Sequence, residues 1–286
     1  MSFSHVTAPT QYVEANGIRF AFRRLGKETG VPLLFLQHFR GGMDHWDPLI
    51  TDGFAADRAV ILFNNAGVAG SSGETPNTIG GMANDAADFV KALGLSQVDV
   101  LGFSIGGYVA QAFTLQYPLI VRKLILVGTG PRGGQPSTDP HVMPYATRPE
   151  NTLEDFLYLF FAQTPESQEA GRAFWARRHQ RQKDIDPPSS PQTMKAQIAA
   201  ILQWREVRGE PFAELNRIKQ PTLVVNGNND VMVPTLNSFT LCQHMPNAQL
   251  IIYPNANHAS HYQYPDLFLS HARTFLDRND FGKQGA

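Results

Sequence analysis

Three residues of this chain can together activate a hydroxyl for acyl transfer. They are Ser104, Asp230 and His258, in that order. A serine hydroxyl is a weak nucleophile until a base takes its proton. The base needs a carboxylate to hold its tautomer and stabilise the charge it acquires. Ser104 lies in Gly102-Phe103-Ser104-Ile105-Gly106, inside the run VDVLGFSIGGYVAQAF. The spacing has a steric reason. A serine held above a sheet needs a very tight strand-to-helix turn, which leaves no room for side chains two residues before it or two after. Gly107 gives the following helix further room to approach. A G-x-S-x-G also arises by chance, so what distinguishes this one is the strand-like run before it and the helix-like run after it. The second Gly/Ser stretch, GVAGSSGETP, has no helix behind it, and Ser71 and Ser72 read as loop residues.

The acid and the base read from strand ends. PTLVVNG runs into Asn228-Asn229-Asp230, and AQLIIYP runs into NANHAS, which carries His258. Both positions fall just past the C-terminal end of a strand, the edge where α/β sites are built. Taken alone, an Asp there is a turn or cap residue and a His is an ordinary surface residue. His261 competes for the base but lies further from the strand, where the next helix should begin, so His258 is preferred. VGTGPRGG, after the preceding strand, offers no alternative carboxylate.

The elements that must position these residues follow from pattern. Residues 11–25 read as a hairpin about Asn16-Gly17. Apolar runs at PLLFL, AVILF, VDVLGF, KLILVG, PTLVVNG and AQLIIYP suit strands covered on both faces, as in a parallel sheet. Ile79, Met82, Ala83, Ala86, Phe89, Val90 and Leu93 share a helical face that Gly94 ends; Val109, Phe113 and Tyr117 share another before Pro118. Strands alternating with helices predict an α/β fold with a mainly parallel sheet. From about Gly130 to Phe212 strand-like runs are absent, and three stretches read as helices. TLEDFLYLFFAQ carries Thr152 as N-cap with Asp155 three residues on. The expected organisation is a core from 1–130 and 213–286, with a helical cap at 131–212.

With these motifs in place, the chain resembles the α/β-hydrolase superfamily from end to end. It is most similar to the branch of small serine esterases, lactonases and cofactor-free haloperoxidases or perhydrolases. The resemblance implies that the corner after the first parallel strand, Gln37-His38-Phe39-Arg40, is the oxyanion loop, with the backbone N–H groups of Phe39 and Ile105 as donors. Relatives usually have His-Gly-Phe-Pro or similar there, so this corner departs from the pattern. His38 and Arg40 are candidate substrate contacts; the blander reading, which is preferred, has both bonded to neighbouring loops. The cap is rich in aromatics (Phe156, Tyr158, Phe160, Phe161, Phe174, Trp175, Trp204), most expected to pack helix on helix and a few, Trp175 among the candidates, to line an apolar pocket. RAFWARRHQRQK reads as a solvated basic face.

Composition narrows the partners. The formal net charge is −1 over 286 residues, which points to neither nucleic acid nor a membrane surface. The one cysteine, Cys242, excludes an internal disulfide framework and reads as a small buried hydrophobe. The first residues lack a signal-peptide pattern and no apolar run spans a bilayer, so a cytoplasmic chain is expected. The expected function is hydrolysis of a small-molecule carboxylic ester or lactone through an acyl-enzyme, with no metal or cofactor. A perhydrolase or a C–C bond hydrolase would use the same three residues, and a non-catalytic binding protein on this scaffold is the alternative of another class.

Overall fold

The computed structural model of the chain describes residues 3–278. Positions 1–2 and 279–286, the outer ends of the expected core segments, lie outside the described residues. Eight strands form one sheet: β1 (Gln11–Ala15), β2 (Ile18–Gly26), β3 (Leu33–Leu36), β4 (Ala59–Phe63), β5 (Val98–Phe103), β6 (Val121–Val127), β7 (Thr222–Gly227) and β8 (Ala248–Tyr253). Their order is β1-β2-β4-β3-β5-β6-β7-β8. Only β2 runs antiparallel to its neighbours. Asn16 and Gly17 both have positive φ, 49° and 77°, which gives the β1–β2 turn the twist its strands need. Every residue of β3, β5 and β7 is buried, as continuous apolar runs require.

The helices are α1 (Pro48–Ala55), α2 (Ile79–Ala92), α3 (Ile105–Gln116), α4 (Val142–Ala146), α5 (Leu153–Phe160), α6 (Pro165–Arg178), α7 (Pro191–Trp204), α8 (Leu236–His244), α9 (Ser260–Gln263) and α10 (Pro265–Asp277). One sheet face packs Met82, Phe89, Val109 and Phe113 from α2 and α3. The other packs Ile50 and Phe54 of α1, Phe268 and Phe275 of α10, and aromatics of α5 and α6. The helix α1 follows no amphipathic run; its signal is Asp47, whose carboxylate accepts from Leu49 N–H, with Pro48 at the first helical position. Among the described residues, no helix is long and apolar enough to cross a membrane.

Between β6 and β7 lie α4 to α7 and no strand. The helix α5 opens on the expected Thr152–Asp155 capping box. One expectation about this region is overturned. The basic run at 172–183 is not uniformly a solvated face: Arg172 is exposed, but Arg177, Arg178 and Arg181 turn inward. Arg177 binds the buried carboxylate of Asp47 at 2.6 Å. Arg181 donates to the carbonyls of His5, Val6 and Ala8. Arg178 lies over the rings of Phe156 and Trp175. The acceptors come from the other end of the chain, so the packing decides where these side chains go. Cys242 is half-buried, with its thiol against the Ala248 carbonyl.

Candidate active site

The strand β5 hands over to α3 in a single residue. Ser104 has φ 57° and ψ −121°, a conformation that costs a non-glycine residue of order 1–3 kcal/mol. It is held by its own N–H to Val127 O (2.9 Å) and by Thr129 Oγ1, which donates to Ser104 O (2.8 Å). The flanking glycines are sterically compelled. A Cβ on Gly102 would collide with the Gly106 carbonyl, and one on Gly106 with the Leu36 carbonyl. Ile105 is the first residue of α3, so its N–H has no acceptor within the helix and lies at the positive end of the helix dipole.

Asp230 follows β7 and His258 follows β8, and the fold brings their side chains together. His258 Nδ1 lies 2.8 Å from Asp230 Oδ2, with both side chains fully buried. The other oxygen, Oδ1, accepts from the N–H groups of Met232 and Val233, both at 2.9 Å. A carboxylate fixed from both sides holds the imidazole with Nδ1 protonated and Nε2 free to take a proton. Nε2 is buried and has no hydrogen-bond partner, and His258 lines the same cavity as Ser104. His261 stands elsewhere. It is fully buried against Phe103 and Tyr262, with ring centroids 4.5 and 3.9 Å away, and it is not part of the cavity wall.

A residue not singled out from the sequence organises these loops. Asn257 Oδ1 accepts from Val231 N–H (2.8 Å) and from His258 N–H (2.9 Å). Its amide donates to the carbonyls of Tyr158 and Phe161 at the end of α5. Ala259 N–H adds a bond to Phe160 O. One side chain thus joins the acid loop, the histidine loop and α5. Its only sequence signal is adjacency to His258.

The Gln37-His38-Phe39-Arg40 corner faces this assembly. Phe39 and Ser104 line two adjoining cavities. Gln37 Oε1 accepts from His38 N–H, and Arg40 takes φ 62°. The Arg40 guanidinium donates to the carbonyls of Ala146, Arg148 and Pro149 and to Asn151 Oδ1, between 2.6 and 3.4 Å. Its backbone N–H binds Gln197 Oε1 and its carbonyl accepts from Ser189. Arg40 therefore clamps the segment between β6 and β7 to the corner. His38 behaves differently. Its ring lines the cavity, between Phe103 and Phe160. Burial first, then the nearby charges of Arg178 and His258, push its pKa down to about 3.

The first cavity is walled by His38, His45, Phe156, Phe160 and His258. The second is walled by Val142, Met143, Ile198, Ile201 and Leu202 with Tyr108. Phe156 and Phe160 are the cap aromatics that reach the site. Trp175, expected as a candidate contact, stands one layer back, its ring 5.1 Å from Phe156 and outside both walls. Its place is taken by Phe156, which the α5 face turns inward.

A strained serine at a strand-to-helix turn, sharing a cavity wall with a buried histidine–carboxylate pair over a mainly parallel sheet, points to the α/β-hydrolase class. The alpha/beta hydrolase fold family model matches residues 31–265, and the chain belongs to that family. It is 34% identical over 184 residues to the pimeloyl-[acyl-carrier protein] methyl ester esterase of Nitrosomonas europaea, covering 60% of this chain and 68% of that one. It is 28% identical over 251 residues to the poly(3-hydroxyalkanoate) depolymerase of Ectopseudomonas oleovorans, covering 85% and 83%. Among solved structures, an alpha/beta hydrolase fold protein from Chitinophaga pinensis superposes with a TM-score of 0.91 at 43% identity, covering 96% of this chain and 99% of that one.

Proposed function

We propose that the chain is a serine hydrolase that cleaves carboxylic esters or lactones through an acyl-enzyme. The observation that carries this is the free Nε2 of His258, held by Asp230 on its other edge and sharing a cavity with Ser104. His258 Nε2 takes the Ser104 proton as Oγ bonds to the substrate carbonyl carbon. The N–H groups of Phe39 and Ile105 hold the oxyanion. The tetrahedral intermediate collapses, the C–O bond to the alcohol breaks, and His258 returns its proton to the leaving oxygen. Water then repeats the sequence and frees the acid. The Nitrosomonas relative, named for ester cleavage, supports this reading.

The two cavities divide the substrate. The leaving oxygen must lie beside the imidazole that protonates it. His258 walls the first cavity and is not part of the second. The alcohol therefore occupies the first, and the acyl chain lies along Ile198, Ile201 and Leu202 in the second. Residues 131–212 act as a cap that closes both over a core formed by 1–130 and 213–286. The test is turnover of p-nitrophenyl esters of increasing acyl length and of a few lactones, wild type beside Ser104→Ala. Activity that peaks at a modest chain length and disappears in the variant supports the proposal. Activity that survives Ser104→Ala overturns it.

A further inference from the structure

Resting on the hydrolase reading, we propose that the alcohol compartment is built for a leaving group carrying an uncharged hydroxyl. That hydroxyl is held between His38 Nε2 as acceptor and His45 Nε2–H as donor. The tautomers follow from the fixed partner of each ring. His38 Nδ1 lies 2.9 Å from the Phe39 carbonyl, which can only accept, so the proton is on Nδ1 and Nε2 is left as an acceptor. That Nε2 is buried and without a partner. His45 is the reverse case: its Nδ1 accepts from Gly42 N–H at 3.1 Å, so in the neutral ring the proton is on Nε2. The two rings stand 5.5 Å apart at 83° and both wall the cavity that holds Ser104 and His258.

Both rings are neutral at physiological pH. Burial is the main cause in each, reinforced by the Arg178 charge, and it brings His38 to about 3 and His45 well below the usual range. The compartment thus offers one uncharged donor and one uncharged acceptor. A hydroxyl can satisfy both at once. An alkyl group leaves the His38 acceptor unpaired in an apolar wall, which native structures avoid. A carboxylate can only accept, and the cation on this wall, Arg40, is already taken up by the carbonyls of 146, 148 and 149. Arg178, whose Nε and Nη1 are buried without partners, lies behind Phe156 and is not part of the wall.

The test compares three hexanoate esters on wild-type protein: 2-hydroxyethyl, its near-isostere propyl, and carboxymethyl. Each rate is divided by that ester's hydroxide rate. The expected kcat/KM for hydroxyethyl exceeds that for propyl at least about tenfold, because a buried polar group discriminates against a ligand that leaves it unpaired. Carboxymethyl is the slowest. In His38→Leu the hydroxyethyl preference falls to within about threefold, and His45→Phe reduces it in the same direction. Equal normalised rates for hydroxyethyl and propyl, with both turned over, overturn the subsite and leave the hydrolase reading standing. Faster carboxymethyl turnover also overturns it, in favour of an anionic leaving group drawn by Arg178. No turnover of any of the three, with Ser104 inert to a fluorophosphonate, removes the hydrolase reading and the subsite with it.

Discussion

Lowering the pH from 8 to 5 should strip this protein of much of its stability, because burial depresses the pKa values of four histidines. His5, His38 and His261 are each within a few per cent of full burial. Burial is the leading cause that depresses all four pKa values, to about 4 for His5, about 3 for His38 and well below the ordinary 6.5 for His45 and His261. The unfolded chain takes up a proton at each near 6.5 and the folded chain does not. Their contribution is therefore complete above 6.5 and is lost as the pH falls towards the folded values. At pH 5 His5 and His38 each cost about 2 kcal/mol, together about 4 kcal/mol, and His45 and His261 add to the loss in the same direction. Asp85 works the other way, because burial and Asp88 raise its pKa to about 6 and the folded state keeps its proton. It is partly exposed and returns at most about 1 kcal/mol. Asp52, Asp99 and Asp186, raised mainly by burial, act in the same sense. His5, His38 and Asp85 alone give a loss of about 3 kcal/mol, a sizeable part of the 5–15 kcal/mol typical of a folded domain. Urea unfolding at pH 8, 6.5 and 5, with unchanged m, measures it. His261→Leu should recover part of the acid loss and be no less stable at pH 8, since both ring nitrogens of His261 are buried without partners. A change below about 1 kcal/mol between pH 8 and 5 would refute the assignment of these rings as locked neutral.

Two further substitutions probe how the site is held. Asn257→Ala removes the joint between the acid loop, the histidine loop and α5. It should lower kcat about tenfold to a hundredfold with little change in KM for a small ester, read from initial rates, while circular dichroism stays native. A fall in KM-linked binding alone would contradict a positioning role. Arg40→Met removes four donor contacts to 146–151 but keeps the stem. Its acceptors at 148 and 149 are exposed and rehydrate, so the expected cost is about 1–3 kcal/mol, with faster hydrogen exchange confined to 142–151 and a raised KM. Unchanged exchange there would show that the clamp is not needed.

Which parts of this account were legible in the sequence depends on how far each partner lies along the chain. The strands β3 to β8, the helices α2 and α3, and the turn at Asn16-Gly17 are local facts, carried by apolar period and by residues that tolerate positive φ. The places of Ser104, Asp230 and His258 were readable for the same reason, since each follows directly from the end of a strand. Arg40 and α6 show the limit. Arg40 finds its acceptors 106 to 111 positions away, and Arg177 finds Asp47 at a separation of 130. A long charged side chain carries no local signal of which distant carbonyl or carboxylate packing brings within reach, so a buried run of arginines looks like a solvated one. Trp175 stands outside both cavity walls for a related reason. Composition shows aromatics in α5 and α6, but helix rotation alone decides that Phe156 faces the cavity and Trp175 backs it. Asn257 acts through backbone groups of other loops, which a reading by residue type does not reveal.

In the proposed mechanism Ser104 is a nucleophile made reactive by His258 and Asp230. The most direct measurement is the intact mass of the protein after a fluorophosphonate, with the labelled peptide mapped. One adduct is expected, on Ser104, lost in Ser104→Ala and slowed at least about a hundredfold in His258→Gln and Asp230→Asn. An unlabelled but folded protein, or an adduct on Ser104 that forms as fast in His258→Gln, would contradict it.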